Sequence, residues 1–311
     1  MHDQAEELRQ RINKIKNIQT DTQDNLNEKE EKGEKVQRKA ARVITITSGK
    51  GGVGKTNISV NLAIALSELG LKVTILDADL GLANVDLVFG IIPRYTFADV
   101  LSGKKNIFDV LETGPRNIKF ISGGSGMMEM VNLNETQLEK LVKNISLLDA
   151  ISDIILIDTG AGLSDSVTSF VMAADEVILV TTPEPTSITD AYALIKMVSA
   201  RDKGKIIKVI VNKAENAVEA ENILRNLTSA AEKFLGMKIS PLGYVQSDDA
   251  VVKAVKLQQP VYISYPNSYA AKHIMEISKK LANKVDKQKD FRYNGIRGFI
   301  NKLAGSFGKR V

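Results

Sequence analysis

Eight residues constrain this 311-residue chain more than any others: Gly49-Lys50-Gly51-Gly52-Val53-Gly54-Lys55-Thr56. They fit the pattern G-x-x-x-x-G-K-[ST], with an apolar, β-branched run at 43–47 before them and a helical pattern at 57–69 after them. Strand, glycine-rich loop and helix in that order make a phosphate cradle. The glycines let backbone N–H groups curl around an anion, and the helix N-terminus adds positive potential. The spacing assigns Lys55 to the β- and γ-phosphates of a nucleotide and the Thr56 hydroxyl to Mg²⁺. Gly49, Lys50, Gly51, Gly52, Val53, Gly54 and Asn57 complete the lining.

The flanking pattern sets the fold class. Short apolar runs recur at 43–47, 73–76, 118–121, 154–157, 177–181 and 206–211, the signature of strands buried on both faces. Helical patterns at 57–69, 188–200, 218–234 and 268–285 separate several of them. Alternating βα units predict an α/β protein of the P-loop NTPase fold, a mostly parallel sheet with helices on both faces. One domain over 43–285 accounts for all of it.

Ligands of such sheets sit at the carboxyl ends of strands. Two apolar runs end there in acids. One reads Ile75-Leu76-Asp77-Ala78-Asp79, the other Ile154-Ile155-Leu156-Ile157-Asp158. Four apolar residues followed by Asp is the pattern of a carboxylate that reaches Mg²⁺, here Asp158. Gly160 and Gly162 follow it and allow a mobile loop. The two histidines lie in a terminus and a helical pattern, and the chain has no cysteine. Thiolate zinc sites, disulfides and Cys-ligated clusters are excluded.

The ends differ from the middle. Residues 3–18 place Ala5, Leu8, Ile12 and Ile15 on one helical face, and 19–42 read as a charged linker. Residues 284–311 carry 8 basic and 2 acidic side chains, so the excess of +5 in the whole chain sits in this tail. The body is slightly acidic, which argues against a partner of the nucleic-acid class. No apolar run reaches the roughly 18 residues of a spanning helix, and the polar start carries no signal peptide, so a cytoplasmic protein is expected.

Lys50, directly after the first glycine, gives the loop a Lys-Gly-Gly-x-Gly-Lys-Thr form. This resembles the deviant Walker A family, which includes MinD and ParA, and the resemblance covers 43–285. It implies binding and hydrolysis of ATP with Mg²⁺ and a homodimer formed with ATP. In that dimer Lys50 crosses to the partner's nucleotide as a catalytic residue beside Lys55. Asp79 would orient or activate the attacking water, and Asp77 would hold the Mg²⁺ shell or the switch region. Asn212 would read the adenine edge, with Lys213 and Val245 bordering the base. Thr159-Gly160 departs from the Ser-Pro-Ala-Gly of some members, which leaves the γ-phosphate contacts of that loop open.

Asp3-Gln4-Ala5-Glu6-Glu7-Leu8-Arg9 matches the D-Q-A-x-x-L-R element that opens the FlhG branch of that family, also called YlxH or FleN. The resemblance implies that segment 1–18 stimulates a FlhF-type signal-recognition GTPase. Gln4 would enter the GTPase site, and Leu8 and Arg9 would dock. The pair would control flagellum number and placement. The tail at 286–311 would be the membrane element, through Phe291, Ile296, Phe299, Ile300, Leu303 and Phe307. Its four glycines cost about 1 kcal/mol each in a helix, so it should be weakly helical in water and suit a peripheral membrane interface. The other reading of the tail is a regular helix packed on its own core, and both can hold in different nucleotide states. The alternative function is MinD-type division-site placement, against which the forty-residue N-terminal extension argues.

Overall fold

The computed structural model describes residues 40–79, 84–123, 134–287 and 293–308. Segment 1–18 with Gln4, Leu8 and Arg9, the stretch 19–39 and Phe291 lie outside the described residues. Eight strands form one sheet: β1 (Arg42–Ser48), β2 (Val73–Ala78), β3 (Glu112–Thr113), β4 (Lys119–Ile121), β5 (Ile154–Ala161), β6 (Glu176–Thr181), β7 (Ile206–Ala214) and β8 (Ser240–Gln246). Their order is β3-β4-β2-β5-β1-β6-β7-β8, and all neighbours are parallel except β3 with β4. The helices are α1 (Lys55–Glu68), α2 (Val85–Phe89), α3 (Phe97–Leu101), α4 (Glu135–Ile145), α5 (Leu148–Ile151), α6 (Asp165–Ala173), α7 (Pro185–Arg201), α8 (Ala217–Ala230), α9 (Asp249–Lys256), α10 (Val261–Ser264), α11 (Tyr269–Lys287) and α12 (Gly295–Gly308).

Alternate residues of the strands feed two faces. Ile44, Ile46, Ile75 and Leu156 pack with α1 and α11, whereas Val43, Leu76, Ile155 and Ile157 pack with α3 to α6 and α12. Every residue of α1 from Ile58 to Leu66 is buried, as expected of a helix enclosed between a sheet and a second helix. The central strand β1 therefore holds the loop after it against a rigid base.

The amino ends of the strands carry a closed ionic cluster. Arg42 donates from Nε and Nη2 to both carboxylate oxygens of Glu176, the Nη2 contact at 2.7 Å, and Lys208 Nζ donates to the same carboxylate. All three are buried. Burial pushes the Glu176 carboxyl up, but the Arg42 and Lys208 contacts more than reverse that and leave it lowered. Arg42 was expected in the linker; it belongs to the sheet.

The tail takes the second of its two readings, the helix packed on its own core. Over 295–308 it is a regular helix whose Ile296, Phe299, Ile300 and Leu303 are buried in the core. Phe299 stacks on Phe170 of α6 with centroids 6.1 Å apart. Burying such side chains contributes roughly 1.5–3 kcal/mol each, against about 1 kcal/mol for each helical glycine. Packing outweighs propensity, so docking on the body wins over the weakly helical state. Asp149 Oδ1 accepts from the Ile296 backbone N–H at 3.0 Å and from the Ala41 N–H at 3.1 Å. Asp175 likewise accepts from Val43 N–H through one oxygen and from Asn294 through the other. Gly295 has φ +65, and a Cβ there would lie 2.6 Å from Asp149 Oδ2.

Candidate functional site

The loop after β1 runs into α1 at the carboxyl end of the sheet, and the expected residues gather around it. Gly54 is left-handed at φ +92, and a Cβ on it would meet Asn212 Nδ2 at 2.5 Å. Asn212 Nδ2 donates to Val53 O at 2.7 Å, and Lys213 Nζ donates to Gly52 O at 2.9 Å. Thus both residues, near the carboxyl end of β7, hold the loop itself. Lys55 is buried, and that burial lowers its pKa against the opposing pull of Asp158 and Asp79. Asn57 lies in the first turn of α1, where its carbonyl accepts from Asn61 Nδ2 at 2.7 Å.

Asp158 is fully buried within β5, directly after the apolar run 154–157. Its Oδ1 accepts from Ser59 Oγ at 2.7 Å, and its Oδ2 has no hydrogen-bond partner. Burial pushes its carboxyl up to about 6, opposed by the Thr56 and Ser59 hydroxyls and the Lys55 charge. A buried carboxylate oxygen left open beside a threonine hydroxyl and a lysine fits a divalent cation. Among the described residues no group of three acidic or histidine side chains forms a closed metal cage. A cation here would complete its shell with phosphate oxygens and water.

Asp77 stands opposite Asp158 in the β2–β5 register. Burial first, then the Asp158 charge, pushes its carboxyl up to about 7. Its Oδ1 accepts from Asp79 N–H at 3.1 Å, and its Oδ2 from Asn84 and Val85 N–H at 2.9 and 3.1 Å. This fits the holding of the segment after β2 better than direct metal ligation. The Asp79 carboxylate lies beside Gly160, where an added Cβ would be 3.5 Å from Oδ1. Thr159 Oγ1 donates back to Ile46 O at 3.1 Å, which ties the last part of β5 to β1.

Lys50 points away from its own loop. Its Nζ donates to Glu184 Oε2 at 2.7 Å and to Thr186 Oγ1 at 3.0 Å, at the start of α7. The pair is open to solvent, with Lys50 39% and Glu184 58% exposed. Val245 is the residue the fold moves out of the site. It pairs with Asn212 in register, but its side chain is buried in the core under α1 and α11. Only its backbone is left to border a base.

Sequence reasoning missed Ser59, Glu184 and Thr186, and noted Thr159 only for its departure from the family pattern. Ser59 lies one turn after Lys55 and carried a helical-spacing signal. Glu184-Pro185 follows the apolar run at 177–181, so the strand-end rule that picked Asp79 and Asp158 also applied there.

The ParA family model, described as "NUBPL iron-transfer P-loop NTPase", matches residues 39–282. The antiactivator FleN of Pseudomonas aeruginosa is 45% identical over 241 residues, covering 77% of this chain and 86% of that protein. The flagellum site-determining protein YlxH of Helicobacter pylori is 31% identical, covering 86% of this chain and 91% of that one. Among solved structures, the septum site-determining protein MinD complexed with Mg-ADP from Pyrococcus horikoshii aligns with a TM-score of 0.64 at 27% identity. The alignment covers 81% of this chain and all of that one.

Proposed function

This chain belongs to the MinD/ParA family of P-loop ATPases, in its FleN- and YlxH-like branch, and we propose that it is an ATP-switched dimer regulating flagellum number and placement. The observation that carries the switch is Lys50, held by Glu184 and Thr186 outside its own phosphate loop. A lysine so placed is available to a nucleotide on a second copy. Lys55 and the loop amides bind the phosphates of the same chain. Thr56 and Asp158 would hold Mg²⁺, which when bound would supply positive charge beside the phosphates, while Asp77 fixes the backbone that carries Asp79. Asp79 orients the attacking water, and the departing negative charge meets Lys55 and the partner's Lys50.

The cationic tail and the N-terminal segment extend this reading. Two tails on one dimer bind an anionic membrane surface through Ile296, Phe299, Ile300 and Leu303, once these leave the body. Among the described residues no helix is long and apolar enough to cross a membrane. Gln4, Leu8 and Arg9 engage a FlhF-type GTPase. The similarity to the antiactivator FleN and to the flagellum site-determining protein YlxH supports the flagellar assignment over MinD-type division-site placement.

Sedimentation tests the switch. The Asp79→Ala variant with Mg-ATP is expected to dimerise, and adding Lys50→Ala is expected to return monomer. A dimer that persists in the double variant refutes the role of Lys50. A peptide of residues 1–20 that fails to stimulate a FlhF-type GTPase refutes the partner.

A further inference from the structure

We propose that Lys213 is a positioning residue of the phosphate loop, acting on bound phosphates through the Gly52 carbonyl and not by touching the nucleotide. Three features meet at this residue. The β7–β8 register shifts between Asn212 and Ala214, so Lys213 is an extra, bulged residue. Its φ is +58, the left-handed region that a residue with a side chain adopts only at a cost. Its Nζ reaches 161 positions back along the chain to donate to Gly52 O at 2.9 Å. A bulge alone would be served better by glycine or asparagine. Strain of this kind persists where something else over-determines it, and here that is the reach to the loop.

Peptide geometry gives the contact its consequence. Within a planar trans peptide the carbonyl and the following N–H point in opposite directions. Fixing Gly52 O outward therefore aims the Val53 N–H inward. Asn212 does the same one peptide later, since its Nδ2 donates to Val53 O at 2.7 Å and so directs the Gly54 N–H. Two successive amides of the loop are set for an anion before any anion arrives. The side chain of Lys213 is exposed, so the bond to Gly52 is not a by-product of burial. This inference rests on the nucleotide reading of the loop but not on dimerisation, membrane binding or a partner.

The test uses the full chain with Lys213→Gly, Lys213→Met and Lys213→Arg, titrated with mant-ADP and mant-ATP. Lys213→Gly relieves the backbone strain and removes the tether, so its thermal midpoint should equal or exceed that of the wild type. Its affinity should nevertheless fall about tenfold for both nucleotides, with KM for ATP rising about tenfold and kcat falling less than twofold. Lys213→Met should lose the same affinity, and Lys213→Arg should recover to within about threefold. Amide exchange at Val53 and Gly54 in the nucleotide-free chain should quicken in the Gly and Met variants only. Wild-type affinity in Lys213→Gly overturns the proposal. So does a loss confined to mant-ATP, which would mean direct contact with the γ-phosphate. A wild type that does not bind mant-ADP overturns the nucleotide reading as well.

Discussion

The two ends of the sheet each bury a cluster of charges, and the clusters are opposites. At the amino end Arg42, Glu176 and Lys208 satisfy one another, and the net effect on Glu176 is a lowered carboxyl pKa. At the carboxyl end Asp77 and Asp158 face each other across β2 and β5, both with raised pKa, and Asp158 Oδ2 bonds to nothing. Fold stability explains the first arrangement, since each charge has its partner. It does not explain the second, which costs the nucleotide-free chain energy. A buried acid left open is accounted for by what comes to complete it.

Three experiments press on this contrast. Breaking the closed cluster should have the largest effect. Glu176→Gln leaves Arg42 and Lys208 buried and short of charge, and a loss of about 3–5 kcal/mol in denaturant unfolding is expected. The folded fraction should still bind nucleotide, because the cluster lies at the far end of the strands. If Glu176→Gln costs less than about 1 kcal/mol, the cluster is not the closed unit described.

Removing an acid from the open end should act on turnover instead. For Asp79→Ala, ATP hydrolysis is expected to fall on the order of a hundredfold or more, while nucleotide binding and the unfolding midpoint stay near wild type. Turnover equal to wild type would remove Asp79 from the chemistry.

The smallest effect separates the two ends by pH. Asp77 and Asp158 sit at about 7 and about 6 in the folded chain, above their ordinary value of 3.8. Between those values the folded state binds more protons than the unfolded one. Stability of the nucleotide-free chain is thus present below about pH 4 and lost as pH rises from about 4 to about 7. Asp77→Asn and Asp158→Asn should flatten that slope, as measured by urea unfolding across the range. Glu176, lowered in the fold, contributes in the other direction and only at more acidic pH. A slope of the same size in both variants would place its origin elsewhere.

What the sequence disclosed follows the distance over which each signal acts. The loop at 49–56, the strand before it and the helix after it are contiguous, and Asp77, Asp79 and Asp158 each close a local apolar run. Those were legible. Arg42 was read as linker because its partners, the Glu176 carboxylate and the Leu281 carbonyl, stand 134 and 239 positions away. The two readings of the tail, weakly helical or docked, stayed open because its glycines are local, whereas the Phe170 ring and the Asp149 cap that stabilise the docked helix are remote. Val245 looked like a pocket residue because a strand end gives its position but not which face it takes. The tether from Lys213 to Gly52 depends on a one-residue bulge, and periodicity does not resolve a single inserted residue.

One oxygen, Asp149 Oδ1, receives both the Ala41 and the Ile296 amides. The body's first strand and its last helix therefore begin at a single corner, at the amino end of the sheet and a full strand length from the phosphate loop. For protein engineering this makes the corner a natural seam. Labels attached at residue 40 and at residue 294 would start side by side, and any separation between them would report the departure of the helix directly.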